Sequence, residues 1–324
     1  MRNRLLFILL LASLLMLPCE SQKQVKGTFT LPNSVLLFQT SVPGVPGEPL
    51  IAVSTTGPTV VQAKDGFWGQ MGTIPALAPG ADRVAWSLTP LNEPDNKSLK
   101  SVLGIYSLVD KSWMIYGDFC TQVGSRVFSP EGERVAFASQ DWSLAGNGYC
   151  FTNPIVLQIL SIATGKLTSL PYNGGIFESA RLSWSPDGKY LAGQIGTWAD
   201  PTKQVVVIDV GSGSARILAE GINPSWSPNG DWIAYEDDRG LKCILIHPDG
   251  TGTKVVLDLE KKFHRYRTFL QGAVWSPDGE KLLLNEAKGD SGSIDVAMFD
   301  LASGKVTMTF KNRLAVLSWA TDRR

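Results

Sequence analysis

The sequence predicts an all-β fold built from repeated four-stranded antiparallel sheets, and three features of the chain lead to that prediction. First, near copies of the pentapeptide Trp-Ser-Pro-Asp-Gly begin at Phe128, Trp184, Trp226 and Trp275. Second, an apolar run typical of a β-strand follows each copy. Third, degenerate copies at Leu77 and Trp319 give six anchors whose spacings are 51, 56, 42, 49 and 44 residues. A four-stranded propeller blade has about this length.

Each pentapeptide has the chemistry of a tight hairpin turn. Proline fixes φ near −65° at the first corner, the aspartate can hydrogen-bond to the backbone ahead of it, and glycine accepts a positive φ. The aromatic residue therefore ends one strand, and the run after the glycine begins the next. Small-residue turns such as Gly211-Ser-Gly213 separate the third and fourth strands of most units.

The two ends of the repeat array complement each other. Strand-like runs at residues 35–38, 50–53 and 59–62 lack an anchor strand, whereas residues 314–319 supply an anchor strand and nothing more. Pairing them closes a ring without leaving a sheet edge exposed. The prediction is thus a six-bladed β-propeller of four-stranded blades over residues 34–324, closed by pairing the C-terminal strand with the N-terminal strands. A seventh blade built on residues 29–33 would leave the last strand without a partner.

Composition bounds the class of protein. The chain has 324 residues, 44% of them hydrophobic and 19% charged, which suffices for a large buried core. Its 30 Lys and Arg residues equal its 30 Asp and Glu residues. Because no net charge attracts polyanions, the composition disfavours nucleic acid as a partner.

The N-terminus has the pattern of a secretory signal. Arg2 and Arg4 precede an apolar run of thirteen residues, 5–17, interrupted only by Ser13, after which the sequence turns polar. We assign residues 1–21 to a signal peptide and 22–33 to a linker, and we expect an exported protein that is periplasmic, on the cell surface or extracellular.

Two alternatives would attach the protein to a membrane. One is an uncleaved leader, although a spanning helix needs about 20 apolar residues. The other is lipidation of Cys19, where Pro18 stands in place of the small residue that a lipobox expects.

Three cysteines follow the leader. Cys120 and Cys150 lie in loop-like contexts, and an oxidising compartment would permit a disulfide between them. Cys243 lies within an apolar run and is expected to be a small buried hydrophobe. No Cys/His spacing indicates a metal site.

The repeat resembles that of the TolB-type propellers, a WD-repeat-like family. The likeness rests on the Trp-Ser-Pro-Asp/Asn-Gly units and the strand, strand, small-residue turn and strand that follow them, and it covers residues 34–324. It implies the fold, but propellers host unrelated activities. Proteins similar in this way include periplasmic protein-binding subunits, propeller halves of prolyl peptidases and some polysaccharide lyases. TolB itself has an additional N-terminal α/β domain, for which residues 22–33 leave no room.

Motifs for catalysis are weak. The chain has two histidines, His247 and His264, too few for a histidine-rich metal site. Gly289-Asp-Ser-Gly292 falls in a predicted turn, and a serine nucleophile there would need a histidine base within reach. The remaining enzymatic option is paired carboxylates: Asp237 and Asp238, with Glu236, follow a predicted strand, and two acids from different blades could approach the central channel. We therefore predict no catalytic residues, metal or cofactor, and keep a carbohydrate-active hydrolase or lyase as the alternative.

Loop lengths point to a binding face. In a four-stranded blade, the first and third hairpins open on one face, and the second hairpins and blade-to-blade connections on the other. The first set is short, and the second, which includes residues 65–73, is long, irregular and rich in aromatic residues, which favours recognition of a protein, peptide or glycan. The alternative is that several of these rings pack over blade ends. The predicted ligand-binding residues are Trp68, Trp142, Tyr149, Trp198, Asp237, Arg239, His264 and Tyr266.

Overall fold

The computed structural model describes residues 34–39, 50–54, 57–69, 74–91, 100–120, 126–141, 155–172, 181–196, 202–262, 268–288, 293–312 and 315–321. The N-terminal strands are β1 (Ser34–Gln39), β2 (Leu50–Ser54), β3 (Gly57–Val61) and β4 (Phe67–Gly69). The strands that follow are β5 (Ala76–Leu77), β6 (Arg83–Pro90), β7 (Lys100–Ser107), β8 (Trp113–Cys120), β9 (Arg126–Phe128), β10 (Arg134–Asp141), β11 (Val156–Ser161) and β12 (Leu167–Ser169).

The second half of the chain continues the same order. Its first eight strands are β13 (Ser183–Trp184), β14 (Tyr190–Ile195), β15 (Gln204–Asp209), β16 (Ala215–Glu220), β17 (Ile222–Trp226), β18 (Ile233–Glu236), β19 (Lys242–Ile246) and β20 (Lys254–Asp258). One helical turn, α1 (Leu259–Lys262), comes next. The last strands are β21 (Thr268–Trp275), β22 (Lys281–Lys288), β23 (Ser293–Asp300), β24 (Lys305–Asn312) and β25 (Val316–Thr321).

These strands form six antiparallel four-stranded blades, which confirms the predicted fold. Blade 1 has the order β25-β1-β2-β3 from the inside outward, and blades 2 to 6 begin at β5, β9, β13, β17 and β21. The closing sheet pairs Val35 with Ala320 and Leu36 with Trp319. The first strand after the predicted linker therefore lies beside the last strand of the chain, as the sequence predicts.

The blades surround a common axis. Each innermost strand contacts the next, in the cyclic order β25, β5, β9, β13, β17, β21 and back to β25. Because successive side chains of a strand point to opposite faces of a sheet, each blade packs against two neighbours. Leu191 packs toward blade 3, for example, and Ala192 next to it packs toward blade 5. The described core accordingly falls into six apolar clusters, one between each pair of adjacent blades.

The anchor tryptophans connect neighbouring blades by hydrogen bonds as well as by packing. Trp184 Nε1 donates to the carbonyl of Val127 at 3.2 Å, and Trp275 Nε1 donates to the carbonyl of Ser225 at 2.9 Å. Each acceptor lies on the innermost strand of the preceding blade. Trp226 differs, since its Nε1 is 3.4 Å from the carbonyl of Gly230 in its own turn. A buried indole N–H is destabilising without an acceptor, and these bonds supply one for Trp184, Trp226 and Trp275.

Two features differ from the expected pattern. Residues 65–73 were expected to be a loop, but Phe67–Gly69 forms β4 and pairs with the end of β6. That expectation was wrong because β6 extends well past β5 and leaves backbone groups that β4 can bond. Blades 2 and 3 are also joined directly, since the end of β8 pairs with the end of β10 through Cys120 and Gln140.

Candidate functional site

The first hairpins of the blades are closed by a repeated set of side-chain hydrogen bonds. The motif serine accepts the backbone N–H of the residue five positions later, with distances of 3.0, 2.9, 2.9 and 2.8 Å for Ser129, Ser185, Ser227 and Ser276. Ser185 Oγ also donates to Asp187 at 2.6 Å, and Ser227 Oγ donates to Asn229 at 2.7 Å. The glycine N–H completes the turn by donating to the serine carbonyl. Such turns hold their geometry without a ligand.

We call the face formed by the first and third hairpins the turn face, and the opposite one the loop face. On the turn face the longest connection between described strands is residues 247–253, seven residues. On the loop face the connections include 40–49, 142–155 and 170–182, the longest of which has fourteen residues. The long connections thus lie on the loop face, although some connections of that face, such as residue 221 and residues 237–241, are short.

A central channel of about 470 Å³ runs between the innermost strands. At the turn face its wall includes the motif prolines Pro79, Pro130, Pro186, Pro228 and Pro277. Along the channel it includes the anchor tryptophans Trp184, Trp226, Trp275 and Trp319. A cavity of this volume, whose wall combines apolar side chains with a comparable share of polar surface, has the dimensions of a small-molecule site.

Buried polar side chains bind adjacent blades together near the loop face. They occupy the tenth position after the anchor, on the second strand of blades 2, 4, 5 and 6, and are Ser87, Gln194, Glu236 and Asn285. Asn285 forms two of these interblade bonds: its Oδ1 accepts the N–H of Val316 at 3.0 Å, and its Nδ2 donates to the carbonyl of Val316 at 2.8 Å. The equivalent position of blade 3 is Ala138, which lies in the apolar core.

Glu236 is the carboxylate of this set. Its side chain accepts hydrogen bonds from the N–H of Gly272 on blade 6 and, at 2.7 Å, from Nδ2 of Asn223. Asn223 adopts a positive φ of 55°, and its own N–H lies 3.4 Å from Gln194 Oε1. Burial raises the pKa of the Glu236 carboxyl above its ordinary value, although these two hydrogen bonds and the charge of Arg181 act in the opposite direction.

Two arginines enter the channel near the loop face. Arg126 is 4% exposed and donates a hydrogen bond to Oγ of Ser87 in the preceding blade. Burial lowers the pKa of its guanidinium to about 9. Arg181 stands two residues before β13 and reaches blade 6, where its Nη2 donates to the carbonyl of Gln271 at 3.0 Å. Burial lowers its pKa, and the charge of Glu236 partly restores it.

The predicted site residues divide into two groups. Asp237 and Arg239 lie in the hairpin between β18 and β19, where Asp237 Oδ1 accepts the N–H groups of Leu241 and Lys242 at 2.6 and 2.9 Å. Arg239 pairs with Glu260, to which Lys242 also binds at 2.9 Å. This exposed network lies on the loop face but is not part of the described channel wall.

The other predicted residues lie wholly or partly outside the described residues. Trp68 lies in β4 and Cys120 in β8, but their side chains are not described. The signal peptide and linker lie outside the described residues, as do Cys19, Trp142, Tyr149, Cys150, Trp198, His264 and Tyr266. Cys243 is described, and it is fully buried as a free thiol, which confirms the expectation for it.

Sequence reasoning overlooked Arg126 and Arg181. Each stands two or three residues before an anchor, in a segment that otherwise reads as an apolar inner strand. A charged residue at that position is the signal that could have identified them, because such a residue must face either the channel or a neighbouring blade.

Metal-binding and membrane-spanning features are absent from the described segments. Within them, no three His, Cys, Asp or Glu side chains lie close enough together to hold a metal ion. No described helix has the length and apolar character needed to cross a lipid bilayer.

No protein-family model matches the chain. No curated protein sequence matches it either. Solved structures do match. TolB from Acinetobacter baumannii superposes with a TM-score of 0.62 and 16% identity, over 89% of this chain and 66% of that chain. A chain of the nidogen/laminin complex matches with a TM-score of 0.58 and 13% identity, over 89% of this chain and 97% of that chain.

A structure assigned as TolB from Agrobacterium tumefaciens matches with a TM-score of 0.56 and 18% identity, over 88% of this chain and 92% of that chain. At these identities the likeness concerns the fold alone. The chain covers just under two thirds of the Acinetobacter protein, so no activity of that whole protein transfers with the fold. The chain has the fold of a six-bladed propeller of the TolB type.

Proposed function

We propose that this protein is an exported, non-catalytic binding scaffold that recognises a protein, peptide or glycan through its loop face. One observation carries the proposal: the turn face is closed by short turns with internal hydrogen bonds, whereas the long connections and the arginines of the channel lie at the opposite face. Long irregular segments on a rigid scaffold are where proteins usually bind their partners.

The composition of the loop-face connections supports a binding role. Trp142, Tyr149, Trp198 and Tyr266 fall in these connections, and Trp and Tyr commonly contribute most of the binding energy of an interface. Export is supported by the leader-like residues 1–21. One structure of similar fold was solved in a complex named for two proteins, nidogen and laminin, so a propeller of this shape is compatible with partner binding.

The proposal is tested by affinity capture from the envelope fraction of the native cells. Tagged wild-type protein is compared with Trp142→Ala and Trp198→Ala, and captured material is identified by mass spectrometry. Tyr190→Ser serves as the control, because this half-exposed aromatic residue follows a motif turn on the turn face. We expect the loop variants to lose a partner that wild type and the control retain. Equal recovery by all four proteins would contradict the proposal.

A further inference from the structure

The channel wall carries charge of one sign. Among the described residues that line it, the charged side chains are Arg126 and Arg181, and the rest are apolar, proline, serine, threonine or tryptophan. Glu236 lies behind Arg181 and is engaged with Asn223 and the backbone of Gly272. In a site that excludes water, fixed positive groups act on a ligand more strongly than they would in bulk solvent.

The two guanidinium groups enter from adjacent blades. Arg126 belongs to β9, Arg181 lies two residues before β13, and β9 and β13 contact each other. Arg181 is held across the channel, because its guanidinium bonds to the Gln271 carbonyl and packs on Gly272, where a Cβ would collide with it. Both charges are therefore positioned by the ring itself rather than by flexible surface segments.

The wall also offers neutral hydrogen-bond donors. Ser183 Oγ accepts the N–H of Trp226 at 2.8 Å, and Ser318 Oγ lies 3.5 Å from the N–H of Leu77, so each hydroxyl keeps its proton for donation. Hydroxyl donors in the wall favour a ligand that is rich in hydrogen-bond acceptors.

We propose that the channel binds a small organic anion, whose carboxylate is held by Arg126 and Arg181 near the loop face. Guanidinium groups match the geometry of a carboxylate and form charge-assisted hydrogen bonds with it. The volume of about 470 Å³ admits a molecule the size of a di- or tricarboxylate or a uronic acid. The proposal depends on the described channel wall alone, so it stands or fails independently of the proposed partner binding.

Intrinsic tryptophan fluorescence and calorimetry of the full-length protein test the proposal. The probes are citrate, succinate and glucuronate, each compared with a neutral counterpart such as succinamide or glucose. Four tryptophans line the channel and should report occupancy. We expect saturable binding of at least one carboxylate, weakening as salt is added, and no binding of the neutral compounds.

Arg126→Gln and Arg181→Gln should each weaken that binding at least about tenfold, since each removes one charged contact. Arg216→Gln is the matched control, an exposed arginine on the outer strand β16 of blade 4 and outside the described channel wall, and it should bind as wild type does. Failure of all three carboxylates to bind wild type, or equal affinity of the wild type and both channel variants, would overturn the proposal. If a channel variant does not fold, the wild-type comparison of succinate with succinamide decides, and equal affinity for the two overturns it.

Discussion

Glu236 is a carboxylate that the ring holds at the interface between blades 5 and 6. It is 1% exposed, and its oxygens accept hydrogen bonds from the backbone of the next blade and from Asn223. Burial disfavours the charged form of an acid, which is why its pKa is raised despite these bonds and the nearby Arg181. The stability of the ring therefore depends on the protonation state of Glu236.

Replacing Glu236 with glutamine should change how stability depends on pH. The pKa is raised above the ordinary value of 4.5 in the folded state, so the folded protein keeps a proton that the unfolded chain has lost. The bound proton of Glu236 therefore contributes stability in full below pH 4.5, and this contribution is lost as the pH rises toward the folded pKa. Above the folded pKa, the free energy of unfolding no longer depends on this group. Urea unfolding at several pH values should show Glu236→Gln gaining stability relative to wild type across this window. The gain should be about 1.4 kcal/mol for each pH unit over which only the folded protein holds the proton. A difference that does not vary with pH would contradict this assignment.

Gly272 packs directly against the guanidinium of Arg181. Its φ is +88°, and a Cβ at this position would collide with the guanidinium of Arg181. Gly304 has a similar φ of +65° but open space around it, so Gly304→Ala measures the backbone strain alone, about 1–2 kcal/mol. Gly272→Ala should cost at least about 1 kcal/mol more than the control in thermal or urea unfolding, because the arginine must also move. Equal losses would show that Arg181 is not held there.

The hairpin elements are where the sequence was most informative. The motif turns could be predicted because their chemistry is local, and the degenerate copy at Leu77 forms the same turn with Ala81 at a φ of 56° in place of glycine. The strand β4 could not be predicted, because Phe67–Gly69 is short and pairs only where β6 extends beyond β5. The register shift of β21 after Leu270 could not be predicted either, because it depends on the neighbouring blade. There the carboxylate of Glu236 accepts the N–H of Gly272 within the bulge.

Removing one motif hydroxyl should weaken a hairpin measurably. Ser276 Oγ accepts the N–H of Lys281 at 2.8 Å and donates to Asp278, and the side chain is buried. Ser276→Ala should reduce the free energy of unfolding by about 1–2 kcal/mol, since it leaves a buried N–H without its acceptor. Ser169→Ala is the control, because Ser169 is exposed on the outer strand β12 and its hydroxyl has no hydrogen-bond partner among the described residues. An equally small effect of both substitutions would contradict the role given to the motif serine.

The disulfide between Cys120 and Cys150 stays a prediction, and the pairing of β8 with β10 gives it a structural basis. Cys120 lies opposite Gln140, one residue before the end of β10, from which the chain continues toward Cys150. Peptide mapping of non-reduced protein exported by its native cells should find residues 120 and 150 in one cross-linked peptide. Cys243 should resist alkylation until the protein unfolds, because it is fully buried. Alkylation of all three thiols in the native protein would contradict both expectations.

At the scale of the whole molecule, the number of blades could be predicted because the two ends of the repeat array are complementary. The residues of the channel wall could not be predicted in this way. Arg181 and Gln271 are separated by 90 residues, and they meet only because the ring brings blades 4 and 6 together at one opening of the channel. The predicted carboxylates near the axis illustrate the same limit. Asp237 folds back into its own hairpin, whereas its neighbour Glu236 turns into the interface between blades.

Ring closure is the central claim, because the two faces, the channel and both proposals depend on it. The most direct measurement is hydrogen–deuterium exchange of residues 316–321, followed by mass spectrometry or NMR. Pairing of β25 with β1 predicts amides protected as strongly as those of the inner strands β17 and β21, with exchange only through global unfolding. Rapid exchange of this C-terminal segment, while the other inner strands remain protected, would show that the ring is open and would contradict the account.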